Sequence, residues 1–172
     1  MAGLRVDPGV SFDDMACTLR TLVPSFRARL AAGEPLRLAT KAVNDWVFTV
    51  GLSVAAEKAQ PLQIHTGFGD PDLDLVEGNP ALLKAVIEDE RFHAAPLVLL
   101  HASWPYCREA AYLAQAYANV QLDCSLAIPM LSISAMATAM AELVSLCPLK
   151  KLCWSRCAPD PRPRPDRPPG GD

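Results

Sequence analysis

Two histidines in this chain each close a short apolar run. His65 follows Leu62-Gln63-Ile64, and His101 follows Leu97-Val98-Leu99-Leu100. Asp123 stands near the end of a third run, Asn119–Cys124. If these runs are parallel strands, their C-terminal ends form the edge where ligands and catalytic groups collect. Neutral imidazoles converging there with a carboxylate are suitable donors for a Zn²⁺-like ion. Such an ion lowers the pKa of a bound water and supplies hydroxide near neutral pH. Each residue also has a plainer role open to it: a strand-end histidine can be held by a hydrogen bond, and Asp123 can hold a loop or cap a turn. The remaining histidine, His93 in Glu90-Arg91-Phe92-His93, reads as a solvated loop residue with no assigned role.

The elements needed to position these groups are legible in order. Ser11 with Asp13 and Asp14 predicts a helix N-cap and an acidic first turn, with the helix running over Phe12–Ala32 and Pro24 kinking or breaking it. Gly33-Glu34-Pro35 is a stop, and Thr40 caps a second helix with Val43, Trp46, Val47, Val50, Val54 and Ala55 at helical spacing. From Pro61 strand and helix alternate. The strand Leu62–His65 leads into the loop Thr66–Gly78, and Asn79-Pro80 opens a helix over Ala81–Glu90. The second strand ends at His101, a helix begins at Pro105, and the third strand gives way to a loop and a helix over Ser134–Leu146. Lys151-Leu152-Cys153-Trp154 begins a fourth strand. Strand and helix repeating at crossover length predict an α/β fold, a parallel sheet with helices packed outside.

Composition narrows the class. A chain of 172 residues that is 51% hydrophobic with a net charge of −3 suits one soluble globular domain and gives no electrostatic reason to expect nucleic acid or an anionic membrane as partner. None of the six cysteines forms a C-x-x-C pair, and no N-terminal secretion signal stands out, so reduced thiols and a cytoplasmic location are expected. The uncharged run Cys124–Ala141 contains Pro129 and several hydroxyl residues, which argues for a loop and buried helix over a membrane span. From Ala158 six prolines alternate with charges, so residues 158–172 are expected to form a disordered tail behind a domain of residues 1–157.

Several ordered motifs resemble the amidohydrolase-related family of metal-dependent hydrolases. Pro61-Leu62-Gln63-Ile64-His65-Thr66-Gly67-Phe68-Gly69-Asp70 looks like the fifth-strand motif of its barrel. It is similar in particular to the branch fused to glutamine synthetase-like domains in plants and fungi. Leu99-Leu100-His101-Ala102 with Trp104-Pro105-Tyr106 and Arg108-Glu109-Ala110 resembles the sixth strand and helix, and Asn119–Asp123 with Ser125-Leu126 the seventh strand. Lys41–Phe48, with Asn44-Asp45-Trp46, is similar to the helix before the fifth strand. The resemblance implies a partial (β/α)8 TIM barrel, roughly strands five to eight with their helices. It implies a divalent metal, zinc by family habit, with His65 as ligand and His101 as either a ligand or the catalytic group that polarises water or substrate. Asp70, Trp104, Tyr106 and Asp123 would line a pocket for a small-molecule substrate. Family members hydrolyse C–N or ester bonds, and a related subgroup decarboxylates, both using the ion as a Lewis acid.

The departures from that pattern set a further expectation. The family's first-strand His-x-His is absent, and Cys157 stands where the eighth-strand aspartate is expected, immediately before the proline-rich tail. A frame change or retained intron near Ser155 would account for that switch. A complete barrel typically needs about 250 residues. The reading is therefore of a fragment with weak metal occupancy and impaired activity, or of a non-catalytic truncated isoform that pairs with the full-length enzyme. A four-strand sheet would leave Leu62, Ile64, Val98, Leu100, Val120 and Leu122 poorly covered, and pairing into a homo-oligomer or with a complementary half-barrel would cover them.

Overall fold

The computed structural model describes residues 3–34, 40–69, 71 and 73–154. Asp70, Cys157 and the 158–172 tail lie outside them. Two helices come first, α1 (Phe12–Ala31) and α2 (Lys41–Lys58). They are followed by β1 (Leu62–Ile64), α3 (Lys84–Ile87), β2 (Leu97–Leu99), α4 (Cys107–Ala116), β3 (Val120–Asp123), α5 (Ala127–Met130), α6 (Ile133–Val144) and β4 (Leu152–Cys153). The strands form one sheet in the order β1-β2-β3-β4, every neighbouring pair parallel.

Local chemistry sets most of the boundaries. Ser11 and Asp14 form a reciprocal capping box at the start of α1. Pro24 lies inside α1 without breaking it. The hydrogen bond it cannot donate would have gone to Arg20, and both residues are exposed, so solvent can replace it. Thr40 occupies the N-cap of α2 but makes no side-chain cap bond. The continuous helix expected over Ala81–Glu90 is instead a 3₁₀ turn at Pro80–Leu83, the single α-turn of α3 and a second 3₁₀ turn at Glu90–Phe92. Asp89 causes the last break, because its carboxylate captures the N–H of Arg91 and starts a new turn.

Register corrects the expected inner face. Leu62 pairs with Leu97 and Leu97 with Val120, while Ile64, Leu99, Leu122 and Leu152 form the next row. Leu97 and Leu99, not Val98 and Leu100, therefore share a face with Leu62, Ile64, Val120 and Leu122. That face is also not left wet. Leu52 and Ala55 of α2, Val86 and Ile87 of α3, Ala110, Ala111, Leu113 and Ala114 of α4, and Ala139 and Leu143 of α6 join these rows in one buried cluster. Each large aliphatic side chain buried there contributes about 1.5–3 kcal/mol. The opposite face carries the row Gln63, Val98 and Gln121, and Val98 stands outside the cluster. Gln63 is exposed and Gln121 half-buried. Among the described residues, then, helices cover one side of the sheet, while on the other Gln63 is exposed and Val98, at 8% exposure, is buried outside that cluster.

Two further sets of hydrogen bonds tie the frame. The segment before α1 is pinned by Leu4 N–H donating to the Glu77 carbonyl (2.9 Å), by Asp7 N–H donating to buried Asp45 (2.9 Å), and by Arg91 donating to the Pro8 carbonyl (2.6 Å). Lys151 donates to the carbonyls of Ala114 and Tyr117, both at 2.6 Å, placing a cation on the C-terminal end of α4.

Candidate functional site

Because all four strands are parallel, their C-terminal ends share one rim. His65 is the first residue after β1, and His101 stands two residues beyond β2. Their ring centroids lie 4.6 Å apart at an interplanar angle of 67°. The two histidines singled out by their positions thus meet.

Each ring is set by its surroundings. His65 Nε2 lies 2.9 Å from the Phe68 carbonyl. A carbonyl oxygen only accepts, so Nε2 carries the proton and Nδ1 keeps its lone pair in the neutral ring. Metal-binding histidines are commonly oriented in this way, by a backbone carbonyl on the far nitrogen. A Cβ at Gly69 would lie 2.6 Å from His65 Nε2, so a larger residue there would push the ring from this position. His101 is 8% exposed, and its buried Nδ1 has no hydrogen-bond partner. Buried polar atoms are rarely left unpaired, so this nitrogen is an opening for a ligand. Burial pushes the His101 pKa below the ordinary imidazole value and the neighbouring His65 lowers it further, partly offset by the Asp123 carboxylate. The ring is thereby held in the neutral, donating form.

The backbone carrying His101 is strained. His101, Ala102 and Ser103 have φ of 68°, 53° and 51°, three successive non-glycine residues in the left-handed region. Each costs roughly 1–2 kcal/mol. Buried Thr66 holds this turn, its hydroxyl donating to the Leu100 carbonyl at 2.8 Å and lying 2.7 Å from the Ser103 hydroxyl. Gly67, at φ 72°, lets the loop after β1 pass so close that a Cβ would sit 2.3 Å from the Trp104 oxygen. Phe68 N–H donates to that same oxygen at 2.7 Å. Thr66, Gly67 and Ser103 are positioning residues that sequence reasoning passed over. Their signal was a threonine and a glycine directly after a strand-end histidine.

The other candidates have identifiable surroundings. Asp123 is buried and its carboxylate accepts from the Ser125 N–H at 3.2 Å and from the Ser125 hydroxyl, which caps the turn after β3. Trp104 packs edge-on against Phe68, with centroids 5.4 Å apart. Tyr106 donates its hydroxyl to the Leu75 carbonyl at 3.0 Å, tying down the loop after β1. His93 is exposed at the end of a 3₁₀ turn.

The donor set can be tested against a bound divalent ion. His65 and His101 match two imidazole ligands. Among the described residues, however, no group of three His, Cys, Asp or Glu side chains is placed to hold an ion. The pair by itself does not make a metal centre. No helix among the described residues is long and apolar enough to cross a membrane.

The sheet is parallel β/α with helices on one side and paired imidazoles on its C-terminal rim, and comparison with known proteins gives its family. The amidohydrolase family matches residues 28–168, and the chain belongs to it. It is 40% identical over 141 residues to protein fluG of Emericella nidulans, a match covering 78% of this chain and 16% of that protein. A crystal structure from Lactobacillus casei ATCC 334, of a protein described as a metal-dependent hydrolase, superposes with a TM-score of 0.69 at 27% identity, over 90% of this chain and 38% of that one. The chain thus spans well under half the length of either relative.

Proposed function

We propose that this chain supplies one wall of an amidohydrolase-type (β/α)8 barrel, its strands β1 to β4 corresponding to the fifth to eighth, and that alone it is catalytically impaired. The observation that carries the reading is the His65–His101 pair on the strand-end rim, one ring oriented by a carbonyl and the other with a buried, unpartnered Nδ1. In a complete site a divalent ion, zinc by the donor type, would act as a Lewis acid on a C–N or ester bond, or on a carboxylate to be lost. This chain's own residues would contribute His65 as a ligand and His101 as a ligand or polarising group. Trp104, Tyr106 and Asp123 would shape the wall of a small-molecule pocket, together with Asp70. The five described cysteines are free thiols, which supports a reducing, cytoplasmic setting.

Two imidazoles without a third donor bind an ion weakly. Elemental analysis after dialysis is expected to find zinc far below one equivalent. Stoichiometric zinc, lost in a His65→Ala/His101→Ala double variant, would contradict the impaired reading. The lack of a third donor among the described residues also favours a second reading, a non-catalytic form that associates with a full-length relative. Co-purification of the two distinguishes it, since a chain that never retains the longer protein excludes that role.

A further inference from the structure

We propose that Trp104 is a positioning residue which, acting through Phe68, fixes the ring nitrogen that His65 offers to the strand-end rim. The loops after β1 and β2 each carry one of the paired imidazoles. Strand register places the two residues but does not turn their rings. The outer torsion of a histidine side chain is broad and roughly two-fold, so either ring nitrogen can face either way. Orientation has to come from contacts between the loops.

Trp104 supplies those contacts with both of its backbone polar groups. Its N–H donates to the His101 carbonyl at 3.2 Å, and its carbonyl accepts from the Phe68 N–H at 2.7 Å. The side chains repeat the second link, the Phe68 and Trp104 rings meeting edge-on with centroids 5.4 Å apart and planes at 74°. Phe68 is thus held at its N–H and at its ring. Its carbonyl is the group that lies 2.9 Å from His65 Nε2. Trp104 is itself anchored, half-buried against the hydrophobic core. A continuous series of contacts therefore runs from the core through Trp104 and Phe68 to His65, with a branch to His101. The whole relay lies between His65 and Trp104 in the chain.

The chemical consequence falls on His65. A carbonyl held in this direction can only accept, which places the proton on Nε2 and leaves the Nδ1 lone pair free. A carbonyl that swings with its loop makes no such demand, and the ring then samples both neutral tautomers. His65 depends on this support more than His101 does. His101 is buried, so packing restricts its ring directly, whereas His65 is exposed and keeps one orientation only through its bonds.

Calling the free nitrogen a ligand rests on the barrel reading above, but the tautomer is read on the metal-free chain and the metal by elemental analysis, so either can fail alone. Long-range proton–nitrogen NMR of the full 172-residue chain, recorded well above the ordinary imidazole pKa, is expected to show His65 as a single neutral tautomer protonated on Nε2, with an NOE between the His65 and His101 rings. Trp104→Ala should convert the His65 signal to the tautomer mixture of a free histidine peptide and abolish that NOE. Trp104→Phe, which keeps an aromatic edge for Phe68, should restore the single tautomer. The exposed His93 should give the same signal in every variant, and Tyr112→Ala, at an exposed position on α4, should leave His65 unchanged. If Trp104→Ala does not fold, Phe68→Leu gives the same reading, because it keeps the peptide and an apolar side chain while removing the ring pair. A proton on Nδ1 in the unsubstituted chain, a mixture already present there, or a single Nε2–H tautomer that persists in the folded variants would overturn the proposal.

Discussion

Gly67 and His101 set the site's geometry from opposite sides of one contact. A Cβ at Gly67 would collide with the Trp104 oxygen, and φ of 72° is costly for any side chain. Gly67→Ala is expected to destabilise the chain by about 2 kcal/mol or more in urea unfolding; a change within experimental error would mean that the loop does not pass His101 as described. His101 supplies a pH prediction. Its folded pKa is depressed, chiefly by burial and then by His65. As pH falls through the ordinary value of 6.5, the unfolded chain takes up the proton first, so the group's contribution to stability is present above that value and declines below it. In an NMR titration His101 should protonate at lower pH than a free imidazole, and His65→Ala should move it upward. A His101 midpoint above the ordinary value would refute the burial argument.

At the scale of elements, register decides which side chains matter. Leu99 belongs to the row packed under the helices, and its neighbour Val98 lies on the opposite face, buried but outside that cluster. Leu99→Ala is expected to cost about 3 kcal/mol, and Val98→Ala less than half of that; equal losses would show that the register is wrong. The sequence carried the strands well, because short apolar runs ending in a polar residue are bounded by turn chemistry. It did not carry the facing. Leu97-Val98-Leu99-Leu100 is apolar at every position, so period-two alternation gives no sign of which pair points inward. The broken 81–92 region was hidden for a related reason: Asp89 acts as a turn-former only once its carboxylate finds the Arg91 N–H. The imidazole pair was legible because residue type and strand-end position suffice to place it, whereas the left-handed turn at His101–Ser103 depends on long-range contacts with Thr66 and Gly67.

For the molecule as a whole, the sheet's one-sided cover ties fold to chemistry. Helices pack against the Leu62–Leu97–Val120 and Ile64–Leu99–Leu122 rows, and the rim histidines stand at the strand ends with no third donor grouped with them among the described residues. Enclosure gives a metal-activated hydroxide its direction and a substrate its dry pocket. The most direct test is therefore turnover. The purified 172-residue chain, supplied with zinc and a panel of aryl esters, amides and aromatic carboxylates, should show no rate above that of free zinc or of the His65→Ala/His101→Ala variant. Saturable turnover that disappears when either histidine is replaced would show that these 172 residues are enough for catalysis, and would contradict the proposal of an impaired chain.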